Sequence, residues 1–256
     1  MTEATAPDRP RGGAALVTGG AKRIGRAICL ELAAAGFDLA IHHRESGDAA
    51  ARLADEIRAL GRRAVCLSAD LADADATGAL VGRAVEALGP LSVLVNNASV
   101  FADDRLESLT GESWSSHMDV NLRAPVLLAQ AFAAQAPDGS AIINILDQRV
   151  LKPDPRFFSY GLSKSALWVA TRTMAQALAP RIRVNGVGPG PTLPSVHQAP
   201  GEFEAEARAT PLQRAGSPEA IADAVRWLVD AGQVTGQMIA VDGGQHLAWQ
   251  TPDIVE

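Results

Sequence analysis

The chain is short of cysteine, of surplus positive charge and of long hydrophobic runs, and each shortage removes a class of function. Its two cysteines, Cys29 and Cys66, lie far apart and have no Cys-x-x-Cys or histidine companion spacing. Neither a disulfide framework nor a zinc site follows, no metal is expected, and a reduced, cytoplasmic setting is the simplest expectation. Lys and Arg total 23 against 29 Asp and Glu, a formal charge of -6, so no global field gathers nucleic acid or an anionic membrane. No apolar stretch approaches the ~20 residues that span a bilayer. The first residues are polar, with Pro7 and Pro10 and no apolar core; they read as a loose tail over 1–12 rather than a signal peptide.

What is present is 256 residues, 47% hydrophobic and 20% charged, the size of one α/β domain over 13–250. Ala14 to Val17 is a short apolar run that breaks at Thr18-Gly19-Gly20, and Ile24 to Ala35 then shows helical periodicity closed by Gly36. The same alternation continues. Strands are expected at Asp38 to His42, Ala64 to Leu67, Leu91 to Val95, Ala141 to Leu146, Ile182 to Val187 and Gln237 to Val241. Helices are expected at Ser46 to Leu60, Asp73 to Leu88, Phe157 to Leu178 and Pro218 to Val229, the last with Ser217 as its N-cap. Continuous apolar strands alternating with amphipathic helices imply a parallel sheet covered on both faces, a doubly wound Rossmann fold. Leu193 to Arg214 lacks clear periodicity and holds Pro194, Pro200, Gly201 and Pro211; a substrate loop over about 191–214 is the expectation.

In Thr18-Gly19-Gly20-Ala21-Lys22-Arg23-Ile24-Gly25 the glycines allow a tight strand-to-helix turn, and the helix N-terminus offers free N–H groups to a diphosphate. The Gly-Lys-Ser/Thr ending of a nucleoside triphosphate loop is absent. About twenty residues on, an NAD site would place an acid on the ribose. The chain instead reads His42-His43-Arg44, with Glu45 only afterwards. A guanidinium there, together with Arg23 and Lys22, suits a 2′-phosphate, so NADPH is expected over NADH.

Tyr160 and Lys164 stand four apart at the start of a long helix, on one face. A neighbouring ammonium lowers a phenol's pKa from ~10 toward the working pH, which suits proton transfer.

With these motifs in this order the chain resembles the short-chain dehydrogenase/reductase family from about Ala14 to Leu247. The resemblance implies that Thr18, Gly19, Lys22, Arg23, Ile24 and Gly25 form the cofactor turn. It implies further that Asp70 and Leu71 contact the adenine, that Asn97 and Ala98 follow the fourth strand beside the cofactor, and that Asn121 joins the proton relay of Tyr160 and Lys164. Pro189, Gly190 and Thr192 would form the nicotinamide-side loop. Two departures narrow the resemblance: Arg23 replaces the usual middle glycine, and Asp147, thirteen residues before Tyr160, replaces the usual serine. Both resemble the pteridine reductases and the similar bacterial dihydromonapterin and dihydrofolate reductases. His43 and Arg44 then resemble a 2′-phosphate site, although Glu45 stands where a small residue is expected. The segment Asn97 to Phe101 resembles a pterin-binding stretch.

That resemblance implies NADPH-dependent reduction of a pterin or dihydrofolate ring C=N, with Asp147 and Tyr160 supplying the proton. Phe101 would give the ring a flat face, and Arg23, Ser99 and Asp147 would meet its polar edge. A reductase of a ketone or acyl thioester on the same fold is the alternative. A non-catalytic NADPH-binding protein is a third reading, against which the intact Tyr160 and Lys164 argue. Relatives of this kind form homotetramers, and the apolar residues near Trp168 and Met174 are compatible with one.

Overall fold

A computed structural model describes residues 12–194 and 198–249. Apart from Gly12, the expected loose tail lies outside the described residues. Seven strands form one parallel sheet: β1 (Ala14–Val17), β2 (Asp38–His43), β3 (Ala64–Ser68), β4 (Leu91–Asn96), β5 (Ser140–Ile145), β6 (Ile182–Pro189) and β7 (Met238–Val241). Their order is β3-β2-β1-β4-β5-β6-β7. The order reverses between β1 and β4, and such a switch point opens a crevice at the carboxyl ends of the strands.

Alternation along each strand sends side chains to two cores. Ala15 and Val17 face one, packed with Ile28 and Leu32 of α1 (Arg23–Ala34), Leu53 and Ile57 of α2 (Gly47–Ala59), and Ile221 and Val225 of α8 (Pro218–Asp230). Ala14 and Leu16 face the other, packed with Leu80 of α3 (Ala74–Leu88), Leu128 and Phe132 of α5 (Ala124–Ala133), and Ala175 of α6 (Phe158–Leu178). Each of the Val, Leu, Ile and Phe side chains among them contributes about 1.5–3 kcal/mol by leaving water. Ser217 caps α8, accepting from the Ala220 N–H at 3.1 Å, as its position before Pro218 implies.

Two regions hold more helix than periodicity showed. Between β4 and β5 run α4 (Gly111–Met118) and α5, joined by a π-helical turn over Asp119–Arg123. Within the stretch expected to lack regular structure lies the short helix α7 (Glu202–Arg208).

Candidate active site

The glycine turn leaves β1 in the crevice. Gly19 has φ +60, and a Cβ there would stand 3.0 Å from the Ala98 Cα; at Gly25 one would stand 2.2 Å from the Gly19 carbonyl oxygen. Only glycine closes this turn. The Asn97 amide donates to the carbonyls of Thr18 (2.8 Å) and Gly19 (3.1 Å), while the Thr18 hydroxyl accepts from the Asn97 and Ala98 N–H groups at 2.9 and 3.0 Å. Thr18, Asn97 and Ala98 are thus a strut between the ends of β1 and β4. Helix α1 starts after Lys22 with no side-chain cap and no acid in its first turn, so its first amides are left for an anion.

A cavity of about 430 Å³ lies over these amides, lined by Gly19, Lys22, Arg23, Ile24, Gly25, Arg44, Asp70 and Leu71 among others. Arg44 stands in its wall with Glu45 at 3.2 Å, both exposed, a pairing that contributes little. Uncapped amides and flanking cations suit a dinucleotide with a 2′-phosphate. Two expectations are corrected here. His43 does not line the cavity; its neighbour His42 does. The buried His42 accepts the Gly19 N–H on Nδ1 (3.1 Å) and therefore carries its proton on Nε2, which donates to the Ala69 carbonyl at 3.1 Å. Burial pushes its pKa down to about 4, which keeps that accepting nitrogen bare. Arg23, for its part, lines both cavities, and its guanidinium is bonded to the loop after β6 rather than held free for a phosphate. It takes φ 52, the left-handed conformation that explains why glycine suits this position, and its guanidinium donates to the carbonyls of Pro194 (3.1 Å) and Leu193 (3.5 Å).

A second cavity of about 1150 Å³ shares Arg23, Ile24, Asn97 and Ser99 with the first. At its floor the end of β5 and the first turn of α6 bring Asp147 and Tyr160 together: the phenol donates to Asp147 Oδ2 at 2.9 Å. Asp147 Oδ1 accepts from the Arg149 N–H at 2.8 Å, and the Arg149 guanidinium lies 3.3 Å from Oδ2. Lys164 Nζ donates to the Ile145 carbonyl at 2.8 Å and stands 5.7 Å from the centre of the Tyr160 ring. The expectation that this ammonium lowers the phenol's pKa is reversed. Burial, then the Asp147 charge and its hydrogen bond, raise Tyr160 well above the ordinary phenol value, while burial brings Lys164 down to about 8. Tyr160 is thereby kept protonated.

Phe101 stacks on Phe157, with ring centres 4.4 Å apart and planes at 17°, and meets the edge of Tyr160 at 4.8 Å. The Arg149 guanidinium lies 5.8 and 5.3 Å from the Phe101 and Phe157 rings. Phe157 and Arg149 escaped sequence reasoning. Their signals were proximity in sequence, three residues before Tyr160 and two after Asp147. Ser99 is exposed at the junction of the cavities, and Pro189, Gly190 and Thr192 line the larger one. Gly190 passes so close to Asp242 that a Cβ would meet its Cα at 2.6 Å. Asn121 does not reach Tyr160 or Lys164 with its side chain; its four hydrogen bonds run to Val100 N and O, Ser99 Oγ and Ser163 Oγ. Among the described residues no cluster of His, Cys, Asp or Glu could hold a metal ion.

The family profile described as enoyl-(acyl carrier protein) reductase matches residues 19–246. An uncharacterized oxidoreductase of Mycobacterium tuberculosis, MT0954, is 38% identical over 239 residues, covering 90% of each chain. The 3-oxoacyl-[acyl-carrier-protein] reductase FabG of Staphylococcus aureus is 33% identical over 240 residues, 91% of this chain and 98% of its own. Among solved structures, FolM alternative dihydrofolate reductase 1 from Brucella suis, in complex with NADP, superposes with a TM-score of 0.91 at 49% identity, covering 94% of this chain and 98% of that one. The parallel sheet, the glycine turn at its switch point and the Tyr160–Lys164 pair at its floor belong with these relatives, and the chain is a member of the short-chain dehydrogenase/reductase family.

Proposed function

We propose that the protein is an NADPH-dependent reductase of a dihydropterin or dihydrofolate, acting on a ring C=N. The observation that carries this reading is the Asp147 carboxylate bonded to the Tyr160 hydroxyl, where a serine hydroxyl is usual in the family. Likeness to FolM at 49% identity supports it. NADPH, when bound, supplies the hydride. The uncapped amides of α1 and the Lys22 and Arg44 cations would hold its phosphates, and Lys164, which lines the larger cavity, would hold the nicotinamide ribose. Tyr160, its proton retained by burial, donates to the ring nitrogen. The Asp147 carboxylate, oriented by Arg149, accepts the phenol hydrogen bond and so orients the donor, and the phenolate left behind recovers its proton from solvent water. Phe101 and Phe157 present a flat apolar wall for the pterin, and Ser99 and Arg23 offer it polar groups at the cavity junction. The reading includes a cytoplasmic homotetramer.

A panel of NADPH oxidation assays with dihydropterins, dihydrofolate and a simple ketoester tests this. Wild-type protein should turn over at least one of the first two classes, and Asp147→Ser should depress that activity about 10²-fold while gaining carbonyl reduction. Ready reduction of the ketoester alone would leave the carbonyl reductase in its place, the reading that the FabG likeness favours.

A further inference from the structure

The wall that carries Phe101 is held by a line of polar groups, buried except for the half-buried Ser113, that line neither cavity. Ser113, His117 and Asn121 recur every four residues along α4 and the π-helical turn, and each grips the segment 99–104 at a successive point. Asn121 holds Val100 by its backbone N–H and carbonyl. His117 Nε2 accepts the Ala102 N–H at 3.2 Å, and Ser113 donates to Asp104 Oδ2 at 2.9 Å. The start of α6 is tied to the same line: the Ser159 hydroxyl and N–H both donate to Asp104, the latter at 2.9 Å, and the Phe158 N–H donates to the Asp104 carbonyl at 2.9 Å. Because Nε2 of His117 is an acceptor, Nδ1 carries the proton and donates it to Ser159 Oγ at 2.7 Å.

His117 and Ser159 are fully buried and Asp104 is 5% exposed. Three buried polar groups are costlier than an apolar trio of the same volume unless every partner is in place; here the contacts tie together the Phe101 segment, α4 and the turn that carries Tyr160. The His117 ring itself lies 6.0 Å from the Tyr160 ring. We propose that His117, acting through Ser159 and Asp104, is a positioning residue that sets the separation of the Phe101 ring from the Tyr160 hydroxyl, and with it the seat of a planar substrate. This rests on the pterin reading only for the substrate's identity.

The test separates substrate from cofactor. In His117→Leu the Ala102 N–H and the Ser159 hydroxyl lose their partner, and KM for the dihydropterin should rise about tenfold. The NADPH Kd should stay within about twofold, since the Thr18–Asn97 strut is independent of this line. His117→Gln, which returns an acceptor and a donor, should recover most of the loss. An unchanged KM in the leucine variant, a glutamine variant as impaired as leucine, or an NADPH Kd that rises in step would each overturn the proposal. Should the leucine variant not fold, Ser159→Ala decides: a KM raised about threefold supports the role and an unchanged one refutes it. If wild-type protein reduces the ketoester and no dihydropterin, the pterin reading falls, and the same KM comparison made with the ketoester still judges His117. A readout that needs no substrate is the ultraviolet titration of Tyr160, the chain's one tyrosine. It should shift in the leucine variant and return in the glutamine variant, and an unmoved titration counts against the role.

Discussion

Tyr160 shows how a side chain's chemistry is set by its surroundings. Its hydroxyl is buried beside a carboxylate, and both effects disfavour the phenolate. The cation at Lys164 faces a backbone carbonyl, too far off to reverse them. Because this is the chain's one tyrosine, tyrosinate absorbance reports it without ambiguity. The titration midpoint should lie above 10, and Asp147→Asn should bring it down by removing the charge while leaving the burial. The linkage has a definite sign: a folded pKa above the unfolded ~10 contributes stability that is present below pH 10 and lost as pH rises beyond it. A midpoint at or below 10 in the wild-type protein would refute the assignment. His42 obeys the opposite logic. Held neutral with a pKa of about 4, it braces Gly19 through a nitrogen that must stay unprotonated.

At the scale of elements, the turn from β1 into α1 depends on close approach rather than on flexibility. Gly25 sits in ordinary helical conformation, yet a methyl group there would meet the Gly19 carbonyl at 2.2 Å and the Asn97 amide at 2.7 Å. Gly25→Ala should therefore displace the turn. We expect an NADPH Kd raised at least tenfold and a loss of about 1–3 kcal/mol of stability from overpacking, read by fluorescence titration and thermal melting. Unaltered cofactor affinity would mean that the turn is not the phosphate site. The helices α4 and α5 were hidden in the sequence for a related reason. The π-helical turn at Asp119–Arg123 adds a residue to the repeat, so the 3.6-residue period of each neighbour falls out of step with the other.

For the whole molecule, the apolar surface left uncovered bears on assembly. On α6, Val169 is 53% exposed, and on α8, Trp227 is 53% exposed beside the half-buried edge strand β7. Trp168, expected at such a surface, is covered on one side by the Arg172 guanidinium at 5.1 Å from its ring. If the homotetramer forms through α6, Val169→Glu should reduce it to a dimer in sedimentation equilibrium, with the α8–β7 surface still paired. A wild-type protein that sediments as a monomer would remove the tetramer from the reading. No helix among the described residues is long and apolar enough to cross a membrane.

The alternation of strand and helix, the parallel sheet, the glycine turn and the Tyr160–Lys164 spacing were all legible in the chain, because each depends on residues a few positions apart. What tertiary structure alone decided involves partners that only the folded sheet brings together. Asp147 and Tyr160 meet because the end of β5 faces the start of α6. Phe101 finds Phe157 across the same gap. Of the adjacent His42 and His43, neighbours on a strand point to opposite faces, and only the packing of β2 determines which one reaches the turn. Likewise the family resemblance implies a proton relay for Asn121, and only the fold shows that its amide bonds the backbone of Val100. The direction of the Tyr160 shift was read the wrong way for one physical reason: spacing along a helix shows which groups are near, whereas a pKa depends on how much water the fold excludes and which charge lies closest once it has done so.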